Sequence, residues 1–251
     1  MSSTVLVIPA RYASTRLPGK PLRLIAGKPM IQHVFERGKA AADAVGFDQI
    51  IIATDDARIQ TCCETFGARV CMTSEAHETG SDRLAEVVTQ NGWADDTIVV
   101  NLQGDEPLTP ISSLEQVAQN LAQNPEAAIA TLATPIKTEA SYHDPNVVKV
   151  VMDKQGMALY FSRASIPLQR EGDIPVKDFA LRHIGIYAYR AAYLKRFAQM
   201  EPSPLEQLEK LEQLRAMWHG AKIHVALADD VPGHGVDTED DLIAVEKILL
   251  D

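Results

Sequence analysis

Apolar positions change their spacing along the chain, and the changes set the order of elements. Near-continuous apolar runs at 4–8, 49–53, 97–101 and 128–133 read as buried strands. Between them, stretches at about 29–42, 56–66, 80–90 and 110–123 repeat apolar residues at helical spacing. Strand and helix in alternation predict βαβ units and an α/β fold with a mostly parallel central sheet flanked by helices. Beyond 135 the texture shifts. Residues 147–152, 157–161 and 181–189 read as strands with long connections, and 204–219 reads as one strong helix. The end, 222–227 then 238–250, returns to strand and helix. The chain divides on this pattern into a core of 1–134 plus 222–251 and a smaller part, 135–221.

Ligands of such sheets bind beyond the carboxyl ends of the strands. Three segments fall there: Arg11–Lys20, Thr54–Asp55 and Gln103–Asp105. The first breaks from its strand at Pro9 into a loop that holds Arg11, Arg16, Gly19 and Lys20. Residues 1–30 carry five Arg or Lys and no Asp or Glu, in a chain whose formal net charge is -10. A cationic, glycine-containing loop between strand and helix is how α/β proteins hold polyphosphates. It is not a P-loop, because Lys20 is followed by Pro21 where a metal-binding Ser or Thr would stand.

The acidic balance argues against nucleic acid as a partner. No apolar stretch approaches the roughly 18 residues of a membrane span, and the N-terminus lacks the apolar core of a signal peptide. Cys62, Cys63 and Cys71 have no C-x-x-C spacing and an odd count; adjacent Cys62 and Cys63 read as ordinary helix residues, which fits a reducing, cytoplasmic compartment.

Several side chains in this pattern have chemistry to offer. Asp105 follows a strand end, where a carboxylate suits Mg²⁺ on a nucleoside triphosphate; it also suits a turn after Gly104. Asp237 is either a second ligand or the N-cap of the last helix. Along 181–189, alternation puts Ile184, Ile186 and Ala188 on the core face. His183 and Tyr187 share the other face, with Gly185 leaving a gap between them for a polyhydroxylated ligand. On a continuous 204–219 helix, Glu212 falls inside the apolar arc of Leu205, Leu208, Leu211 and Leu214, so it needs either a ligand or Arg215 as partner. Arg163, after a strand-like run, is either a surface arginine or a bidentate grip on a carboxylate.

The loop sequence Pro-Ala-Arg-Tyr-Ala-Ser-Thr-Arg-Leu-Pro-Gly-Lys-Pro-Leu, residues 9–22, resembles the signature of sugar nucleotidyltransferases, in the form carried by the 3-deoxy-manno-octulosonate (Kdo) cytidylyltransferase family. Ala-Thr-Asp-Asp at 53–56, Thr-Gly-Ser-Asp-Arg-Leu-Ala-Glu at 79–86 and Val-Asn-Leu-Gln-Gly-Asp-Glu-Pro at 100–107 look like the same family. So do 158–164, Arg-His-Ile-Gly-Ile-Tyr at 182–187, Leu-Glu-Gln-Leu-Arg at 211–215 and Gly-Val-Asp-Thr at 235–238. The resemblance implies a Rossmann-like nucleotide-diphospho-sugar transferase fold, a homodimer, and transfer of CMP from CTP to Kdo with release of pyrophosphate, for lipopolysaccharide synthesis. It implies nucleotide contacts from Ala10, Arg11, Ser14, Arg16, Lys20, Asp55, Gly80, Arg83 and Gln103. It implies sugar contacts from Gln103, Arg163, His183, Tyr187, Glu212 and Gln213, and magnesium on Asp105 and Asp237. Arg11, Arg16, Lys20 and Asp105 would carry the catalysis. A cytidylyltransferase for 8-amino-Kdo or a sialic acid is a near rival, and a CTP-binding regulatory module a distant one.

Overall fold

The computed structural model describes residues 2–13, 17–77, 79–233 and 235–250. The strands are β1 (Thr4–Ala10), β2 (Leu24–Ile25), β3 (Lys28–Pro29), β4 (Gln49–Thr54), β5 (Arg69–Met72), β6 (Ile98–Asn101), β7 (Ile129–Pro135), β8 (Lys149–Met152), β9 (Ala158–Ser162), β10 (Leu181–Arg190) and β11 (Ile223–Leu227). The helices are α1 (Met30–Val45), α2 (Ala57–Thr65), α3 (Gly80–Asn91), α4 (Ile111–Gln123), α5 (Glu139–His143), α6 (Ala191–Phe197), α7 (Pro204–Glu209), α8 (Gln213–Trp218) and α9 (Glu239–Leu250).

The main sheet runs β11-β7-β10-β6-β1-β4-β5, with β8 on β10 and β9 on β8. β1 is parallel to β4 and β6, β4 to β5, and β7 to β11; β10 runs against β6, β7 and β8, and β9 runs against β8. The sheet is thus mostly parallel, as the alternation predicts. Its period-2 faces have different covers. Leu6, Ile8, Ile52 and Val100 pack under α1, α2 and α4, while Val5, Val7, Ile51 and Val99 pack under α3 and α6. β10 belongs to the 135–221 segment by sequence, yet it sits inside the main sheet and so brings that segment's side chains beside the ends of β6 and β7.

The helix expected over 204–219 is broken in two. Ser203 caps α7, with Glu206 closing a capping box, and Lys210 ends it in the left-handed region at φ 54. The continuous helical wheel therefore fails: Leu208 is 80% exposed while Leu211 and Leu214 are buried. The break turns residues 210–213 toward the strand ends.

Candidate active site

β1 delivers Ala10 and Arg11 to the carboxyl edge of the sheet, and β6 delivers Gln103 and Asp105 beside them. Gly104 permits the closeness: a Cβ there would lie 2.6 Å from the carbonyl oxygen of Pro9. Lys20 opens a single 3-10 turn, Lys20–Leu22, after Gly19 at φ 66. Its Nζ donates to Asp105 Oδ2 at 2.7 Å, to Val236 O at 2.9 Å and to Asp237 Oδ1 at 3.1 Å. Two carboxylates separated widely in sequence thus converge on one point. Asp237 is not the cap of α9. Thr238 Oγ1 accepts from the Asp241 amide, Asp241 Oδ2 accepts from Thr238, and Asp237 Oδ1 accepts from Lys20. Two hard oxygen donors converging beside a phosphate-sized cavity fit the donor set of Mg²⁺, which takes one or two carboxylates and completes its shell with phosphate and water. Glu106, next in sequence, has its carboxyl pushed up to about 7 by burial first and by the Asp105 charge second.

A cavity of about 130 Å³ opens over these groups, lined by Ala10, Arg11, Lys20, His77, Arg83 and Asp105 among others. Arg83 is 3% exposed. It donates to Asp55 Oδ2 at 2.6 Å and to Thr73 Oγ1. Asp55 therefore orients Arg83 from behind and does not line the cavity itself. Gly80, the first residue of α3, lines it with Thr79, the N-cap of that helix.

A second cavity of about 370 Å³ adjoins the first. Arg11, Thr79, Gly80 and Gln103 line both. Its far wall is Tyr187, Tyr189, Tyr193 and Phe197 from β10 and α6, closed by Lys210, Leu211, Glu212 and Gln213 from the α7–α8 break. Arg215 does not pair with Glu212 as one reading of the sequence expected. Its guanidinium grips Glu206 bidentately, Nε to Oε2 at 2.8 Å and Nη2 to Oε1 at 2.7 Å, and stacks over Phe197. Glu212 is left on the cavity wall, where burial raises its pKa above the ordinary carboxyl value.

Asn101, which the sequence reading passed over, also lines this cavity. It is 3% exposed, and its Oδ1 has no hydrogen-bond partner among the described residues. The signal was a polar residue closing an otherwise apolar buried strand. An unpaired buried carbonyl costs about 1–3 kcal/mol, so this one suits a ligand hydroxyl.

His183 and Tyr187 do share a face of β10, but no gap separates them. A bulge between Ile184 and Tyr187 absorbs Gly185 and lets the two rings pack with centroids 5.3 Å apart. Tyr187 lines the large cavity; His183 is not among its lining residues, and stands behind Tyr187 with Nε2 3.1 Å from Thr131 Oγ1. Burial pushes His183 down to about 3. The unfolded chain takes up this proton near pH 6.5, so between about 6.5 and 3 it binds more protons than the folded state, and stability falls as pH drops through that window. His183→Gln should flatten that slope: the melting-temperature difference from the unsubstituted enzyme will shrink steadily from pH 7 to pH 4. Parallel Tm curves for the two proteins would show that His183 does not carry this dependence.

Arg163 lies away from both cavities. Its Nε donates to Glu209 O at 2.6 Å and its Nη1 to Pro145 O at 2.9 Å. Lys149, fully buried, gathers the carbonyls of Asp144, Val147 and Arg163 beneath it. In this structure Arg163 ties loops together and does not reach a ligand space. Ser14 and Arg16 lie outside the described residues.

A family model described as cytidylyltransferase matches residues 5–223. A 3-deoxy-manno-octulosonate cytidylyltransferase of Thioalkalivibrio sulfidiphilus is 57% identical over 248 residues, covering 97% of this chain and 98% of its own. One from Yersinia enterocolitica is 54% identical, covering 99% of each chain. Among solved structures, a CMP:2-keto-3-deoxy-manno-octonic acid synthetase complexed with CTP superposes with a TM-score of 0.90 at 43% identity, covering 99% of each chain. A 4-diphosphocytidyl-2C-methyl-D-erythritol synthase, at 15% identity and a TM-score of 0.64, shares the fold.

Proposed function

The chain belongs to the cytidylyltransferase family, and from that premise we propose how its two cavities divide one reaction. The enzyme transfers CMP from CTP to 3-deoxy-manno-octulosonate, giving CMP-Kdo and pyrophosphate. The observation that carries the assignment of sites is the junction: a small cationic cavity and a larger polar-aromatic one share Arg11, Thr79, Gly80 and Gln103. A triphosphate in the first and a sugar acid in the second would meet at that shared wall.

The small cavity is built wholly from residues 9–105, and the far wall of the large one from 187–213. This supports a nucleotide side formed by 1–134 with 222–251 and a sugar side formed by 135–221. Arg11 and Lys20 would neutralise the triphosphate and the departing pyrophosphate, and Arg16 would join them. Asp105 and Asp237 would hold magnesium, which when bound supplies charge to phosphate oxygens and orients the attacking hydroxyl. Glu212, Gln213 and Tyr187 would hold the sugar hydroxyls so that the anomeric oxygen attacks the α-phosphorus in line; no covalent enzyme intermediate is needed. A neutral His183 would support Tyr187 without offering charge to the sugar carboxylate.

Leu159, Leu208 and Trp218, on β9, α7 and α8, are each more than half exposed. They support a homodimer formed through this side of the molecule. Among the described residues no helix is long and apolar enough to cross a membrane. The free thiols of Cys62, Cys63 and Cys71 support work in the cytoplasm, supplying lipopolysaccharide synthesis.

Pyrophosphate release tests the reading. With CTP and Mg²⁺ it should follow addition of Kdo and exceed that with 8-amino-Kdo or a sialic acid; absence of release with every sugar acid would leave only a CTP-binding module. The division of sites has its own test. Tyr187→Phe removes one hydroxyl from the sugar wall, worth about 0.5–1.5 kcal/mol. KM for Kdo should rise about 2- to 12-fold, with CTP affinity by calorimetry unchanged. A loss of CTP affinity with normal Kdo kinetics would reverse the two cavities.

A further inference from the structure

Asn101 closes β6, whose four residues Ile98, Val99, Val100 and Asn101 are all buried. Its side chain shares a sheet face with Tyr187, directly opposite it in the antiparallel β6–β10 pairing, and both line the large cavity. A buried strand end is ordinarily apolar or fully hydrogen-bonded, because an amide buried without partners costs stability. Asn101 is neither, since its Oδ1 has no partner among the described residues.

The surroundings show which way the amide is turned. Burial first and the Glu212 charge second push the Tyr189 pKa up, and hydrogen bonds with Ser81 and Asn101 pull it partly back. A neighbour that lowers a phenol's pKa does so by donating to the phenolate. Asn101 therefore turns its nitrogen to Tyr189 and its carbonyl oxygen to the cavity. No side chain of the wall donates to that oxygen. The proton it needs must come from what fills the cavity.

We propose that Asn101 sets sugar specificity, its Oδ1 accepting a hydrogen bond from a hydroxyl of the bound sugar acid. The ligand group has to be a donor. A carboxylate oxygen at this place would face a carbonyl oxygen with no proton between them. Besides the anomeric hydroxyl, the pyranose form of Kdo carries hydroxyls at C4, C5, C7 and C8, and one of these meets Asn101. A sugar lacking that hydroxyl leaves the carbonyl unpaired in the complex as well, and is rejected for that reason. The proposal rests on the reading of the large cavity as the sugar side.

The test is kcat/KM at saturating CTP for Kdo and its monodeoxy analogues at these positions. It compares unsubstituted enzyme with Asn101→Leu, which keeps the branching without the polar atoms, and Asn101→Ala, which adds no bulk. Both variants should lose at least fivefold in kcat/KM for Kdo, with CTP affinity by calorimetry unchanged. One monodeoxy analogue should be used equally well by all three proteins, because its half of the bond is already missing. The ligand-free Tm of Asn101→Leu should match or exceed that of the unsubstituted enzyme, whereas loss of a structural amide would lower it. Either variant suffices should the other fail to fold, judged by circular dichroism. Unchanged kcat/KM for Kdo means that water satisfies the carbonyl, and overturns the proposal. An equal loss with Kdo and every analogue also overturns it, and makes the amide structural. Unsubstituted enzyme inactive with Kdo overturns the functional reading itself.

Discussion

Asp105→Ala should lower kcat roughly 10²- to 10³-fold at saturating CTP, Kdo and Mg²⁺ while leaving the fold in place. The loss follows from removing one of two carboxylates that converge on Lys20 beside the small cavity, and with it several kcal/mol of charge stabilisation at about 1.4 kcal/mol per decade. Stability should barely change. Asp105 is an end-of-strand residue whose side chain is 35% exposed, and an ion pair so placed contributes less than about 1 kcal/mol. Lys20 keeps Val236 O and Asp237 as acceptors in the variant. Stopped assays of pyrophosphate release, with a melting curve on the same preparation, separate the two effects. Retention of more than about a tenth of kcat would remove Asp105 from the reaction.

The fold was legible because most of its elements announce themselves locally. Buried parallel strands such as Val5–Ile8 are continuous apolar runs, and helices such as α3 begin at a capping Thr79 with apolar residues at helical spacing. The small edge strand β5 was not read, because its burial is partial and its pattern short. The lining of the small cavity was legible for a related reason. Its residues follow strand ends directly, so sequence position predicts spatial position, and Lys20, Gln103 and Asp105 do meet.

Tyr187, Glu212 and Gln213 line the large cavity, but the geometry that brings them there was not legible. Glu212 was singled out by a helical wheel that the left-handed Lys210 invalidates, and it reaches the cavity because the helix breaks. Gly185 was read as open space, whereas the bulge it allows brings His183 onto Tyr187. Arg163 faces backbone carbonyls because the loop at 145 and the end of α7 at 209 come to it, a long-range arrangement with no local pattern. Asn101 did carry a local signal, a polar residue closing an apolar strand, but only the structure shows that this strand ends at a cavity.

The α7–α8 break also bears the second large effect. Arg215→Met should lower Tm by about 6–20 °C. Glu206 and Arg215 are both about nine-tenths buried and joined by two parallel hydrogen bonds. Glu206 Oε2 also accepts from the Ser203 amide in the capping box, so the carboxylate cannot leave when its partner is removed. Stranding a buried charge in this way costs about 3–5 kcal/mol. A chain of this size loses about 2–4 °C per kcal/mol. Glu206→Gln combined with Arg215→Met keeps the cap, removes the stranded charge and should recover part of the loss. The consequence for catalysis follows from position. α7 and α8 flank Leu211, Glu212 and Gln213, which close the large cavity, while the small cavity has no residue from this segment. Assayed well below its Tm, Arg215→Met should raise KM for Kdo and leave CTP affinity near that of the unsubstituted enzyme. A Tm within about 3 °C of the unsubstituted enzyme would mean that Phe197 packing, and not the Glu206 pair, holds the break against the sheet.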